Sequence, residues 1–184
     1  MMETMKTILP LTQLSGKKET QIVSLLGGFC LFLSTLEYLI PKPLPFLRIG
    51  LANVPIMLAL DILSFKYFAL LVMIKIFGQA LVTGTLFSYI FLFSLIGTCS
   101  ASFAMRFTRR FLGAKLISFI GISVIGAFLS NGSQLLLARF FIFGEAIYFL
   151  IPPFLGVGII TSVSLGIFCE TFTNKSQWYK QTRY

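Results

Sequence analysis

Seven polar or charged residues, Glu37, Arg48, Asn53, Lys75, Gln79, Asn131 and Gln134, stand in or beside the long apolar stretches of a 184-residue chain. A charged side chain at the centre of a membrane helix costs about 2.5 to 3.5 kcal/mol on insertion scales, so such residues normally face a protein interior or a wet cavity. Their types fit recognition better than bond making. Lys75 and Gln79 are four apart and share one helical face, while Asn131, Gln134, Ala138 and Arg139 spread over one broad face of a later stretch. Three cations, Arg48, Lys75 and Arg139, then face one carboxylate, Glu37. That balance suits an anionic or polar ligand whose apolar body packs on Phe46, Phe87, Tyr89 or Tyr148. Simpler roles stand beside each: Glu37 and Lys75 neutralising one another, Arg48 and Arg139 reaching the outer headgroups, Asn131 and Gln134 bonding neighbouring helices.

Groups for catalysis are scarce. There is no histidine, no metal-ligand cluster and no Walker-type Gly-rich loop, and the six acids (Glu3, Glu19, Glu37, Asp61, Glu145, Glu170) are isolated from one another in sequence. Magnesium-assisted diphosphate chemistry needs several carboxylates converging on the ions. A standalone enzyme is therefore not expected, nor a resident cofactor, and ATP-driven movement would have to draw on a partner. Cys30, Cys99 and Cys169 are far apart in apolar runs and read as small core residues.

The elements that must position these residues are membrane spans. Hydrophobic residues make up 57% of the chain and charged residues 11%, with a mean hydropathy of +0.91, against about 25% charged in soluble domains. The apolar runs divide into spans at residues 21–40, 47–63, two within 67–105 folded at Thr83-Gly84-Thr85, then 116–143 and 146–168. The second is short and contains Asn53 and Pro55, which leaves a re-entrant path open. Eleven of the fifteen Lys and Arg residues fall before residue 21, at Lys66, in a basic loop at 106–115, or after residue 168. Lys/Arg excess marks the cytoplasmic side, so six spans with both termini inside are expected. The +9 formal charge is dispersed over cytoplasmic loops instead of gathered on one face, which argues against nucleic acid as a partner. The expected layout is a cytoplasmic segment at 1–20, a membrane domain at 21–168 and a cytoplasmic tail at 169–184, solvated from Thr171 onward with Trp178 and Tyr179 resting at the headgroup level. Glu37, Arg48, Asn53, Lys75, Gln79, Asn131, Gln134 and Arg139 then lie at mid-depth or in the outer half, in one outward-opening polar zone.

Five segments carry a family resemblance: Thr35-Leu36-Glu37-Tyr38-Leu39-Ile40-Pro41, Ile49-Gly50-Leu51-Ala52-Asn53-Val54, the stretch from Gly78 to Gly84, Phe93-Ser94-Leu95-Ile96-Gly97, and Gly121-Ile122-Ser123-Val124-Ile125-Gly126-Ala127 with Asn131 and Gln134. Over residues 27–166 the chain resembles the small bacterial membrane family called Gx transporters, often labelled heptaprenyl diphosphate synthase component I. It departs from the pattern at Lys75, where an arginine is expected, and at Ser130, where a histidine is. That family is similar to the substrate-binding S components of energy-coupling factor (ECF) importers. The resemblance implies an all-α, six-helix protein of the bacterial inner membrane that captures a small amphipathic, anionic solute (vitamin-, flavin- or isoprenoid-like) from the outer face. A transmembrane coupling subunit and ATPase subunits would drive it. It also places Glu37, Arg48, Asn53, Lys75, Asn131 and Gln134 in the pocket region, with Gln79 one turn from Lys75. Ser24, Gly27 and Gly28 on the first span would let a coupling helix approach closely, or serve internal packing. The alternative is a noncatalytic membrane subunit in heptaprenyl diphosphate or quinone biosynthesis.

Overall fold

The computed structural model describes residues 16–40 and 49–183, and all regular structure among them is helical. Seven α-helices follow one another: α1 (Gly16–Leu39), α2 (Val54–Ala59), α3 (Phe65–Val82), α4 (Tyr89–Leu116), α5 (Phe119–Ala138), α6 (Ile151–Lys175) and α7 (Gln177–Arg183). Five segments are long and apolar enough to cross a membrane: Lys18–Leu39, Phe65–Val82, Tyr89–Gly113, Phe119–Phe149 and Ile151–Lys175. This is the build of a multi-pass membrane protein.

Burial runs opposite to that of a water-soluble bundle. Phe32, Leu81, Phe107, Phe128 and Ile160 face outward, whereas Glu37, Lys75, Gln79, Asn131, Gln134 and a set of serines and threonines are buried. Lipid can cover the outer apolar side chains at no cost, while the polar groups need the protein interior.

Helix α5 packs between α4 and α6, α1 packs on α3, and α2 lies between α1, α3 and α6. The second expected span differs most from its sequence reading. It is a 3-10 turn, Leu51–Asn53, followed by the six residues of α2, every one of them buried, and six helical residues rise only about 9 Å. Yet the segment bridges much of the bundle. At its start the amides of Ile49, Gly50 and Leu51 meet Glu37, and at its end Ser64 Oγ donates to Glu19 Oε2 at 2.7 Å. Glu37 and Glu19 are roughly 27 Å apart along α1 at 1.5 Å per residue. Gly50, at φ +88°, supplies the left-handed residue that turns the chain into this path.

The expected basic loop at 106–115 is helical instead: α4 runs to Leu116, broken only by non-helical Gly113. Arg106 and Arg109 have partners inside the fold. Arg106 donates to the carbonyls of Leu60 (2.7 Å) and Leu63 (2.8 Å), completing the end of the short helix. Arg109 grips Asp61 through Nε (2.7 Å) and Nη2 (2.5 Å) and reaches the Ile117 carbonyl.

The expected solvated tail differs in the same way. α6 extends to Lys175, and α7 brings Tyr179, 1% exposed, to within 3.5 Å of Asp61. The turn at Thr83-Gly84-Thr85 falls where expected, with Gly84 at φ +66° and the two threonine hydroxyls 2.8 Å apart. α5 gives way at Ala138 to a π-turn, Arg139–Phe143, and a 3-10 stretch, Gly144–Phe149, before Pro152 and Pro153 open α6.

Candidate functional site

The buried polar residues converge on a narrow cleft at the centre of the bundle. α1 contributes Glu37; the Leu51–Asn53 turn, Asn53; α3, Lys75 and Gln79; α4, Thr98; α5, Ser123, Ser130 and Asn131; α6, Thr161 and Ser162. Its apolar floor includes Met57, Met105 and Leu165.

Glu37 organises one wall of the cleft. Its Oε1 accepts from the Ile49 amide at 2.8 Å, and its Oε2 from Gly50 at 3.2 Å and Leu51 at 3.0 Å. One carboxylate holds three consecutive backbone donors, an anion nest in which the side chain is the anion. This ties the C-terminal end of α1 to the turn carrying Asn53. Mutual neutralisation with Lys75 does not by itself account for this carboxylate, because its oxygens are used by the backbone.

Lys75 is 4% exposed and donates through Nζ to Asn53 Oδ1. Gln79, one turn further on, lines the same wall. From the opposite side, Asn131 fills the notch that Gly158 leaves: a Cβ at position 158 would collide with its amide nitrogen. Ammonium, amides and hydroxyls thus face one another across the cleft, a donor-rich set that suits an anionic or hydroxylated group.

Of the seven residues singled out in the sequence, the fold brings Glu37, Asn53, Lys75, Gln79 and Asn131 together in the cleft. Arg48 lies outside the described residues, as does Phe46. Gln134 sits beside the cleft instead of lining it. It fills the space left by Gly97 of α4, donates to Ser130 Oγ at 2.9 Å, and keeps a buried Oε1 with no hydrogen-bond partner among the described residues. Arg139 is outside the site, paired with Glu145 at 2.8 Å on the surface and stacked 5.5 Å from the Tyr148 ring centre. The aromatic bed expected for an apolar ligand body is not there either: Phe87 is fully exposed, and Tyr89 and Tyr148 are more than half exposed. Of the three small residues on α1, Gly27 packs inward on Ile74, while Ser24 and Gly28 face outward.

Sequence reasoning missed Thr98, Ser123, Thr161 and Ser162 as site residues. A lone hydroxyl is cheap to bury when it returns its proton to the helix backbone, as Thr161 and Ser162 do. The readable signal was spacing: Ser123, Ala127, Ser130 and Asn131 make one helical stripe, as do Gly158, Thr161, Ser162 and Leu165.

In this conformation the cleft takes about 40 Å³, room for roughly three water molecules. Pockets for drug-sized ligands hold about 300 to 1,000 Å³. Among the described residues no three His, Cys, Asp or Glu side chains come together to hold a metal ion.

The profile of a family described as heptaprenyl diphosphate synthase component I matches residues 26–172. The chain belongs to the heptaprenyl diphosphate synthase component I family. The match covers every residue that lines the cleft, from Glu37 to Leu165. No curated protein and no solved structure matches the chain significantly.

Proposed function

We propose that this family member is a membrane solute-binding subunit, the S component of an ECF-type importer, in which the central cleft holds a small amphipathic, anionic solute. The observation that carries the reading is the convergence of Asn53, Lys75, Gln79 and Asn131, from three separate segments, on one buried cleft. Polar side chains that act as helix glue hydrogen-bond across helix interfaces, whereas these four also line a common space. On this reading the second segment completes a six-crossing topology with both termini in the cytoplasm of a bacterial inner membrane, and the cleft opens outward. A coupling subunit and ATPases would supply the energy.

A second reading draws support from the family's description: a noncatalytic membrane subunit that presents an isoprenoid to a separate synthase. One experiment separates the two. The protein is purified with its native partners and the associated proteins and small molecules are identified by mass spectrometry. Copurifying ATPase subunits support import. A soluble prenyl synthase subunit in their place would overturn it in favour of the second reading.

A further inference from the structure

Two cavities of opposite character share one wall. Beside the polar cleft runs an apolar groove of about 370 Å³ between α5 and α6, lined by residues that include Phe128, Leu155 and Ile159. Ala127, Asn131 and Gly158 line both. Phe128 (62% exposed) and Ile159 (52%) belong to candidate membrane spans, so the groove opens sideways, where lipid chains lie. The partition is thin. Gly158 has no side chain, and only the Asn131 amide fills the gap.

We propose that cleft and groove are one bipartite site for a single-chain amphiphile with a small anionic head, a phosphate or carboxylate. The head sits beside Lys75 among the hydroxyls of Thr98, Ser123 and Ser162, and the chain lies in the α5–α6 groove. Entry is lateral, from the bilayer, past Asn131. The two volumes favour this division. A cleft of about 40 Å³ cannot enclose a compact vitamin-sized solute, whereas the groove is the size of a ligand pocket and has Asn131 as its one polar side chain. Polar and apolar parts of the ligand must therefore be separated along its length. A single groove accepts one chain, not two. This inference rests on the reading of the cleft as a solute site and names the class of solute.

The test uses the full chain in nanodiscs of zwitterionic lipid, with Trp178→Phe removing the native indole and Phe128→Trp placing a reporter in the groove. Chain-brominated palmitate is titrated in, with brominated phosphatidylcholine at the same mole fraction as the bulk-lipid control. Unlabelled palmitate and farnesyl phosphate compete, and inorganic phosphate and acetate serve as head-only probes read by thermal shift. The expected result is saturable quenching by the fatty acid beyond the lipid control, weakened at least tenfold by Lys75→Met and by Ala127→Phe, which blocks the passage between compartments. The better competitor identifies the head as carboxylate or phosphate. Should Ala127→Phe fail to fold, Ile159→Phe narrows the groove from its exposed side and must weaken quenching as well. Stabilisation by the head-only ions without saturable quenching would overturn the bipartite site and leave the cleft as a binding site. Absence of binding by every probe would overturn both.

Discussion

Lys75 donates its ammonium to the side-chain oxygen of Asn53, joining the middle of α3 to the turn ahead of α2 inside the cleft. The cleft's cation is thereby held by a residue that also lines the site, so ligand affinity and local order are coupled.

Replacing Lys75 with Met should reduce retention of the copurifying solute at least tenfold, equivalent to about 1.4 kcal/mol, while Lys75→Arg should keep most of it. Quantitative mass spectrometry of the purified variants measures this. Full retention by Lys75→Met would remove Lys75 from the binding surface.

Glu37 should behave as a positioning residue. Glu37→Ala leaves the amides of Ile49, Gly50 and Leu51 without their acceptor, and an unsatisfied buried group costs about 1 to 3 kcal/mol. A lowered melting temperature in detergent is expected. The double variant Glu37→Gln with Lys75→Met should also be destabilised, whereas the removal of a simple buried ion pair is often close to neutral.

Asn131 and Gln134, three residues apart, should separate in their effects. Asn131→Ala should weaken solute retention by about 1 to 3 kcal/mol through an unpaired ligand group. Gln134→Ala should act on stability and spare retention, because that side chain packs against Gly97 and bonds Ser130 instead of lining the cleft. Equal loss of solute in both variants would contradict this assignment.

Arg109→Ala should be the most damaging single change at the opposite end of the bundle. It leaves the Asp61 carboxylate without its cation, whose guanidinium is only 7% exposed, and breaking a buried pair from one side costs about 3 to 5 kcal/mol. Asp61→Asn combined with Arg109→Met should recover part of the loss. Thermal unfolding of the three proteins gives the comparison.

The proposed orientation can be checked by labelling intact cells with a membrane-impermeant maleimide. A cysteine at Phe87, which is fully exposed in the α3–α4 turn, should react from outside. One at Leu112, beyond the arginines of α4, should react only after the cells are opened. The reverse pattern would invert the cleft's direction of opening.

Much of the architecture was legible because lipid imposes simple demands. The long apolar runs became α1, α3, α4, α5 and α6, and the polar residues within them turned inward. Less legible was anything decided by a distant partner. The helical course of 106–115 depends on Asp61 and on the carbonyls of Leu60 and Leu63, which sequence spacing does not reveal. Tyr179 read as a headgroup-level residue of a solvated tail because nothing local shows that α7 returns to Asp61. In the site, charge and amide groups stood out against an apolar background, whereas Thr98, Ser123 and Ser162 did not, and Arg139 stood out for a surface pairing with Glu145.

The brevity of α2 bears on how the protein is made. Val54–Ala59 is enclosed on all sides and too short to cross a bilayer, and the carbonyls beyond it are satisfied by Arg106, 43 and 46 residues later in the chain. When this segment leaves the ribosome, the residues that will shelter it have not yet been synthesised, and hydrocarbon offers its free backbone groups no partner. The packing around residues 49–64 is therefore completed only once α4 has been made, because the carbonyls of Leu60 and Leu63 find their donor in Arg106.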